Sequence, residues 1–276
     1  MKRKWKRLLA GVCAAAMGLT MFSTAGILAQ RVQAEEVPSG REVLNFNSDW
    51  GFYRGDLENA QDPDFGEFAS VTLPHTMQLA KKHCPGANGV YQGVGWYRRY
   101  FTLDESYADK KIQLQFEGVM TDSDVYLNGE KIYTRNGGYV GFTVDITDKV
   151  KFGENNVLAL RVSKVDSPET PPGKPEASLD FHYWGGIYRD VNMIVTEKTS
   201  VTDVLEADQT AGGGVFLTYP EVSSEEATVN VKTDVANDNE ESHEIYVKQI
   251  LEDEEGQAVI EQQSEIQTVD AGSSYQ

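Results

Sequence analysis

The chain has 276 residues, of which 40 % are hydrophobic and 25 % charged, enough for a packed core in one large or two ordinary domains. Its 43 acidic and 25 basic residues give a formal charge of −18. That balance excludes a nucleic-acid partner, because nothing is available to neutralise phosphates.

The first residues read as an export signal spanning 1–34. "MKRKWKR" is a basic start, "LLAGVCAAAMGLTMFSTAGILA" an apolar run, and "VQA" before Glu35 a small-residue cleavage site. The segment holds six basic residues and no acids, so its removal takes the charge from −18 to −24. The apolar run is long, and an uncleaved membrane anchor is the alternative. Both readings put the remainder outside a bacterial cytoplasm, secreted or held at the cell surface. Cys13 falls in the signal, which leaves Cys84 as the one mature cysteine, read as structural and unable to form an internal disulfide.

From residue 41 onward the pattern is that of strands. Ile112, Leu114 and Phe116 alternate with Gln113 and Gln115, the period of a half-buried strand. Asn128-Gly129 stands between two strand-like runs and predicts a tight hairpin. Leu158, Leu160 and Val162 share one face of the next run, and Val191, Met193 and Val195 share one face of another. "KVDSPETPPGKPEASLD" contains four prolines and a glycine, which exclude a helix or central strand. It reads as a rigid loop leading into Asp180. No window of a dozen residues carries a helical period.

The composition changes near Thr196. Residues 197–276 hold 19 acidic and 3 basic residues and no Trp, yet still read as strands and turns. The fold class predicted is all-β: a jelly-roll sandwich over 41–196, then an immunoglobulin-like sandwich over 197–276 that stops before a closing strand.

Seven stretches in order, within about Asn45 to Ile194, carry a family likeness: "NSDWGFYRG", "LPHT", "GVGWYRRYF", "FEGVMTDSDVYLNG", "GGYVGFTVDITD", "NVLALRVSK" and "DFHYWGGIYRDV". Together they resemble the N-terminal sugar-binding domain of glycoside hydrolase family 2, which includes β-galactosidases, β-glucuronidases and β-mannosidases. The resemblance implies a jelly roll, an immunoglobulin-like domain and a (β/α)8 barrel bearing two catalytic glutamates. That barrel is expected as the partner, supplied by the same parent chain. A retaining glycosidase needs two carboxyls roughly 5–5.5 Å apart, and no residue of this sequence is assigned either role.

By the same resemblance, Asp180 reaches from the first domain to hold the sugar in the active site, as charge-assisted hydrogen bonds to hydroxyls suit. The alternative is that Asp180 caps the glycine-rich turn or pairs with Arg189. His182, Tyr183 and Trp184 either line the sugar pocket or pack the core. Asn88 and Tyr91, in "CPGANGVYQG", are candidate amide and hydroxyl contacts. Gly185 and Gly186 are expected to permit close backbone approach. Arg189 is expected in an ion pair or a domain contact, Trp50, Trp96 and Tyr97 in the core, and His75 in a structural hydrogen bond. No histidine has metal-ligand spacing, and neither metal nor cofactor is expected.

The reading is therefore the N-terminal part of a secreted retaining β-glycosidase acting on a terminal β-glycoside, with a β-galactoside expected and no turnover by this chain alone. A stand-alone secreted carbohydrate-binding or adhesin module is the alternative. A purely structural tandem of sandwiches leaves Asp180 unexplained.

Overall fold

A computed structural model describes residues 40–66, 68–78 and 90–276. The predicted export signal, Cys84 and Asn88 lie outside the described residues. Two compact units are present, 40–197 and 198–276.

The first unit contains β1 (Arg41–Asn45), β2 (Trp50–Arg54), β3 (Ala69–Val71), β4 (Gly93–Thr102), β5 (Lys111–Phe116), β6 (Val119–Met120), β7 (Asp122–Leu127), β8 (Glu130–Asn136), β9 (Phe142–Asp145), β10 (Asn155–Lys164), β11 (Gly186–Ile187) and β12 (Val191–Thr196). They form a four-stranded sheet in the order β1-β12-β5-β9, a six-stranded sheet in the order β3-β2-β4-β10-β7-β8, and the small pair β11-β6. Pairing within the large sheets is antiparallel, so alternate side chains of each strand face the other sheet.

The predicted alternations supply that interior. Ile112, Leu114, Phe116, Leu158, Leu160, Val162, Val191, Met193 and Val195 all belong to one buried cluster, with Trp50 and Tyr97 among them. The Trp50 indole donates to the Phe46 carbonyl at 2.8 Å, which satisfies its one polar atom. Asn128 and Gly129 both take positive φ, 53° and 90°, and turn β7 into β8. That is the geometry a two-residue hairpin loop demands.

Burial exceeds the half-buried expectation in three strands, β5, β10 and β4. Gln113 is buried along with its apolar neighbours. On β10 and β4, Ala159, Val94 and Trp96 form a second cluster with Ala60, on the face away from the main core. Leu57, Phe65 and Phe68 pack against it, so residues 56–66 and Phe68 roof the outer face of the sheet. Asp56 anchors that roof by accepting from Arg161 Nε at 3.0 Å and Trp96 Nε1 at 3.2 Å. The Arg161 hydrogen bond holds the Asp56 carboxyl below its usual range.

The second unit contains β13 (Thr199–Val201), a four-residue helix α1 (Val204–Ala207), β14 (Val215–Val222), β15 (Ala227–Thr233), β16 (Val235–Asn237), β17 (His243–Ile245), β18 (Lys248–Glu252), β19 (Ala258–Gln263), β20 (Gln267–Val269) and β21 (Ser273–Tyr275). The Asp203 carboxylate caps α1 by accepting from Leu205 N and Glu206 N at 3.0 and 3.1 Å. Two-stranded pairs dominate, the hairpins β14-β15 and β18-β19 and the pair β17-β20 that encloses the second of them in the chain, beside the three-stranded β13-β16-β21. Its centre is held by the fully buried Asn237, whose amide donates to the Glu241 and Val269 carbonyls at 2.8 and 3.0 Å.

Candidate functional site

The Asp180 motif sits at one end of the six-stranded sheet. Gly93 of β4 pairs with Lys164 of β10 there, and the chain leaves Lys164 into the proline-rich loop. Lys164 continues the inward alternation of Leu158, Leu160 and Val162, so its ammonium is driven into the interior and needs an acid. Glu176 provides it, from a short 3-10 turn at Glu176–Ser178 behind Pro175. The Lys164 ammonium donates to Glu176 Oε2, and both side chains are 1 % exposed.

Further polar groups close around this pair. Gln92 Nε2 donates to Glu176 Oε2 at 2.8 Å and to Asp166 Oδ1 at 3.2 Å, while its Oε1 accepts from Asp166 N at 3.1 Å. Asp166 Oδ2 accepts from Glu176 N at 3.1 Å. His182 Nδ1 lies 3.0 Å from Glu176 Oε1. The Tyr183 hydroxyl donates to Asp166 Oδ1 at 3.2 Å, and Lys164 Nζ stands 4.2 Å from the centre of the Tyr183 ring. Burial first, then the Asp166 carboxylate, push the Tyr183 hydroxyl above its ordinary range.

Above this network Asp180 is exposed, with no hydrogen bond or ion pair to the described residues. The expected alternative roles, capping the turn or pairing with Arg189, are not what the structure shows. Arg189 is itself exposed and lies over the Tyr188 ring at 5.6 Å rather than in an ion pair. His182 and Trp184 are half-buried beside Asp180 in the chain. Tyr183 belongs to the support beneath, since it is buried and its hydroxyl is committed to Asp166. The Tyr91 hydroxyl donates to the Val94 carbonyl at 2.8 Å and Arg54 lies 5.5 Å from its ring centre, which leaves the hydroxyl oxygen to act only as an acceptor.

The two glycines fit as close-approach positions. A Cβ on Gly185 would stand 2.7 Å from Lys164 Cβ. Gly186 has φ +133°, and a Cβ there would meet the His75 carbonyl and the Tyr97 hydroxyl, each at 2.6 Å. The clash arises because "LPHT" runs against the motif, with His75 N donating to Ile187 O and Met77 N to Gly185 O, both at 2.8 Å. His75 Nδ1 lies 2.9 Å from the Tyr97 hydroxyl, the structural hydrogen bond expected of it, and burial lowers the His75 ring below its usual range. Gly186→Ala is expected to destabilise the first unit by about 1–3 kcal/mol through overpacking alone. Thermal unfolding checks this.

Sequence reading missed Lys164, Glu176, Asp166 and Gln92. The signal for Lys164 was its place in the alternation of β10. A separate cleft of about 360 Å³, lined by residues including Asp49, Phe68, Ser70, Arg98 and Tyr100, contains none of the predicted site residues. Among the described residues no group of three or more His, Cys, Asp or Glu is placed to hold a metal ion.

Comparison with known proteins matches residues 58–197 to the family "Glycosyl hydrolases family 2, sugar binding domain". A β-galactosidase of Thermoanaerobacter pseudethanolicus is 40 % identical over 169 residues, covering 60 % of this chain and 22 % of the relative. A β-galactosidase of Bacteroides ovatus is 31 % identical over 234 residues, 82 % of this chain and 25 % of the relative. A β-glucuronidase of Formosa agariphila is 28 % identical over 233 residues, 80 % of this chain and 24 % of the relative. Among solved structures, Bacteroides uniformis β-glucuronidase superposes with a TM-score of 0.75 at 27 % identity, covering 85 % of this chain and 27 % of that one. The chain thus spans about a quarter of the length of these relatives. With the seven motifs, the two-sheet fold and the family match in agreement, the chain belongs to glycosyl hydrolase family 2, whose sugar-binding domain it carries.

Proposed function

We propose that the first unit supplies one wall of the sugar site of a secreted, retaining β-glycosidase, with Asp180 as the direct contact to the glycone. The observation that carries this is the state of Asp180. It is an exposed carboxylate with its acceptors unused, on a segment fastened from beneath by a buried network. A carboxylate so presented accepts from two sugar hydroxyls at once, while His182 and Trp184 offer a ring nitrogen and an apolar face beside it. The two carboxyls that break the glycosidic bond, roughly 5–5.5 Å apart in a retaining enzyme, belong to the barrel of the parent protein.

A β-galactoside is the proposed substrate. What supports this reading is that the Thermoanaerobacter pseudethanolicus and Bacteroides ovatus relatives, at 40 % and 31 % identity, are both β-galactosidases. The unit at 198–276 is read as the immunoglobulin-like domain that joins this wall to the barrel, and the basic and apolar start as the export signal.

The test is hydrolysis of chromogenic β-galactoside and β-glucuronide by residues 35–276 and by the chain extended to the end of its reading frame. The expected result is no turnover by the 35–276 protein and β-galactoside hydrolysis by the extended one. Turnover by the short form would overturn the assignment of the catalytic carboxyls to the barrel. A folded short form with no longer frame, binding sugar without cleaving it, would make the protein a binding module.

A further inference from the structure

Asp180 has no bonds of its own, so its position is set by what holds the chain on either side. Leu179 N, just before it, closes the 3-10 turn on the Glu176 carbonyl at 3.0 Å, and the turn's Glu176 is joined directly to His182, two residues after Asp180, through Oε1 and Nδ1 at 3.0 Å. Glu176 is tied in turn to β10 through Lys164 and to the chain before β4 through Gln92 at 2.8 Å. One carboxylate thus uses Oε2 to hold the loop to the sheet and Oε1 to hold the residue beside the exposed acid. An ionised carboxylate only accepts, so His182 Nδ1 carries the hydrogen of that bond, which fixes the ring and leaves Nε2 without a hydrogen bond to the described residues. Asp166 repeats the pattern one layer on, receiving Glu176 N, Gln92 Nε2 and the Tyr183 hydroxyl.

Energy alone does not account for such a pair. Taking two ions out of water costs several kcal/mol each, and well-packed apolar residues of similar volume often stabilise a fold equally well. What apolar residues cannot supply is direction: three hydrogen bonds accepted by one buried carboxylate define where the loop sits. We propose that Lys164–Glu176 is a positioning pair for the sugar site, fixing the 165–182 segment so that Asp180 and His182 Nε2 meet one glycone at a set spacing. The relevance to sugar rests on the function proposed above, whereas the ordering of the loop stands independently of it.

The test is Lys164→Met/Glu176→Leu in the 276-residue chain, followed by hydrogen–deuterium exchange and thermal unfolding. Peptides covering 165–184 should exchange at least about tenfold faster, with β5 and β12 unchanged and the melting temperature within a few degrees of the parent. Unchanged loop exchange, or a lowered melting temperature without faster loop exchange, would overturn the positioning role and leave a merely structural pair. If that variant does not fold, Lys164→Met/Glu176→Gln removes the ion pair while keeping a polar side chain of the same length toward Gln92 and His182, and the same acceleration is required of it.

Binding of methyl β-galactoside and methyl β-glucuronide, followed by ligand-observed NMR with Asp180→Asn alongside, separates the two claims. Loss of binding by at least about fivefold in both the pair variant and Asp180→Asn supports the pair as a positioning device. Loss in Asp180→Asn alone overturns the pair's role and keeps the sugar reading. Equal binding by Asp180→Asn and the parent overturns the sugar reading, and the exchange result alone then decides whether the pair orders the loop.

Discussion

Lys164→Met alone should lower the unfolding free energy of the first unit by about 3–5 kcal/mol, the cost of leaving one member of a buried ion pair without its partner. Burial sets the size of this loss. Lys164 and Glu176 are each 1 % exposed, so water cannot replace the ammonium once it is removed. Gln92 Nε2 and His182 Nδ1 still face the Glu176 carboxylate, but they cannot match the charge the lysine brought. Adding Glu176→Leu to Lys164→Met should recover most of the loss, because the pair is then replaced by apolar volume rather than broken. Denaturant unfolding of the parent, both single variants and the double variant closes the cycle. A single-variant loss below about 1 kcal/mol would mean that the pair is screened as a surface pair is.

The strands were legible where one face alone was asked to be apolar. Leu158, Leu160 and Val162 named their own sheet face, and Asn128-Gly129 named its turn, because both signals are local in sequence. Burial on the second face was not legible. Leu57, Phe65 and Phe68 pack against Ala159 and Trp96, and nothing in β4 or β10 announces a roof built from elsewhere in the chain. The candidate site divides along the same line. Asp180 was proposed from a contiguous motif, and it is exposed and unbonded to the described residues.

Its support was missed because the partners are remote: Gln92 and Glu176 are 84 residues apart. Lys164 was the readable exception. A lysine on the inward face of an otherwise apolar strand demands a buried acid, and the loop that follows offers Asp166, Glu169 and Glu176. Sequence leaves that choice open. The 3-10 turn after Pro175 settles it by bringing Glu176 inward. Tyr183 shows the converse limit. An aromatic within a sugar motif reads equally well as pocket wall or as support, and only the bond to Asp166 separates the two.

In the chain extended to the end of its reading frame, Asp180→Asn should reduce kcat/KM for a β-galactoside by about 10- to 100-fold for each hydrogen bond to a sugar hydroxyl that loses its charge. That range follows from about 1.5–3 kcal/mol per hydrogen bond to a charged group, at roughly 1.36 kcal/mol for each factor of ten. The substitution keeps the side chain's shape and one acceptor oxygen, so it removes charge and one acceptor rather than the contact surface. Stability should be unchanged, since Asp180 is exposed and bonded to none of the described residues. This separates Asp180→Asn from Lys164→Met, which acts first on folding.

The division between KM and kcat carries further information. Hydroxyl bonds that tighten as the sugar ring flattens toward its oxocarbenium-like transition state would appear in kcat, whereas bonds made equally in the ground state would appear in KM alone. A carboxylate on a segment fixed from below has no freedom to follow a relaxed substrate outward. Its bonds should therefore be best formed when the ring moves toward it, and the larger share of the loss should fall on kcat. An Asp180→Asn enzyme with parental kcat and raised KM would show instead that this wall holds the sugar without favouring its reaction.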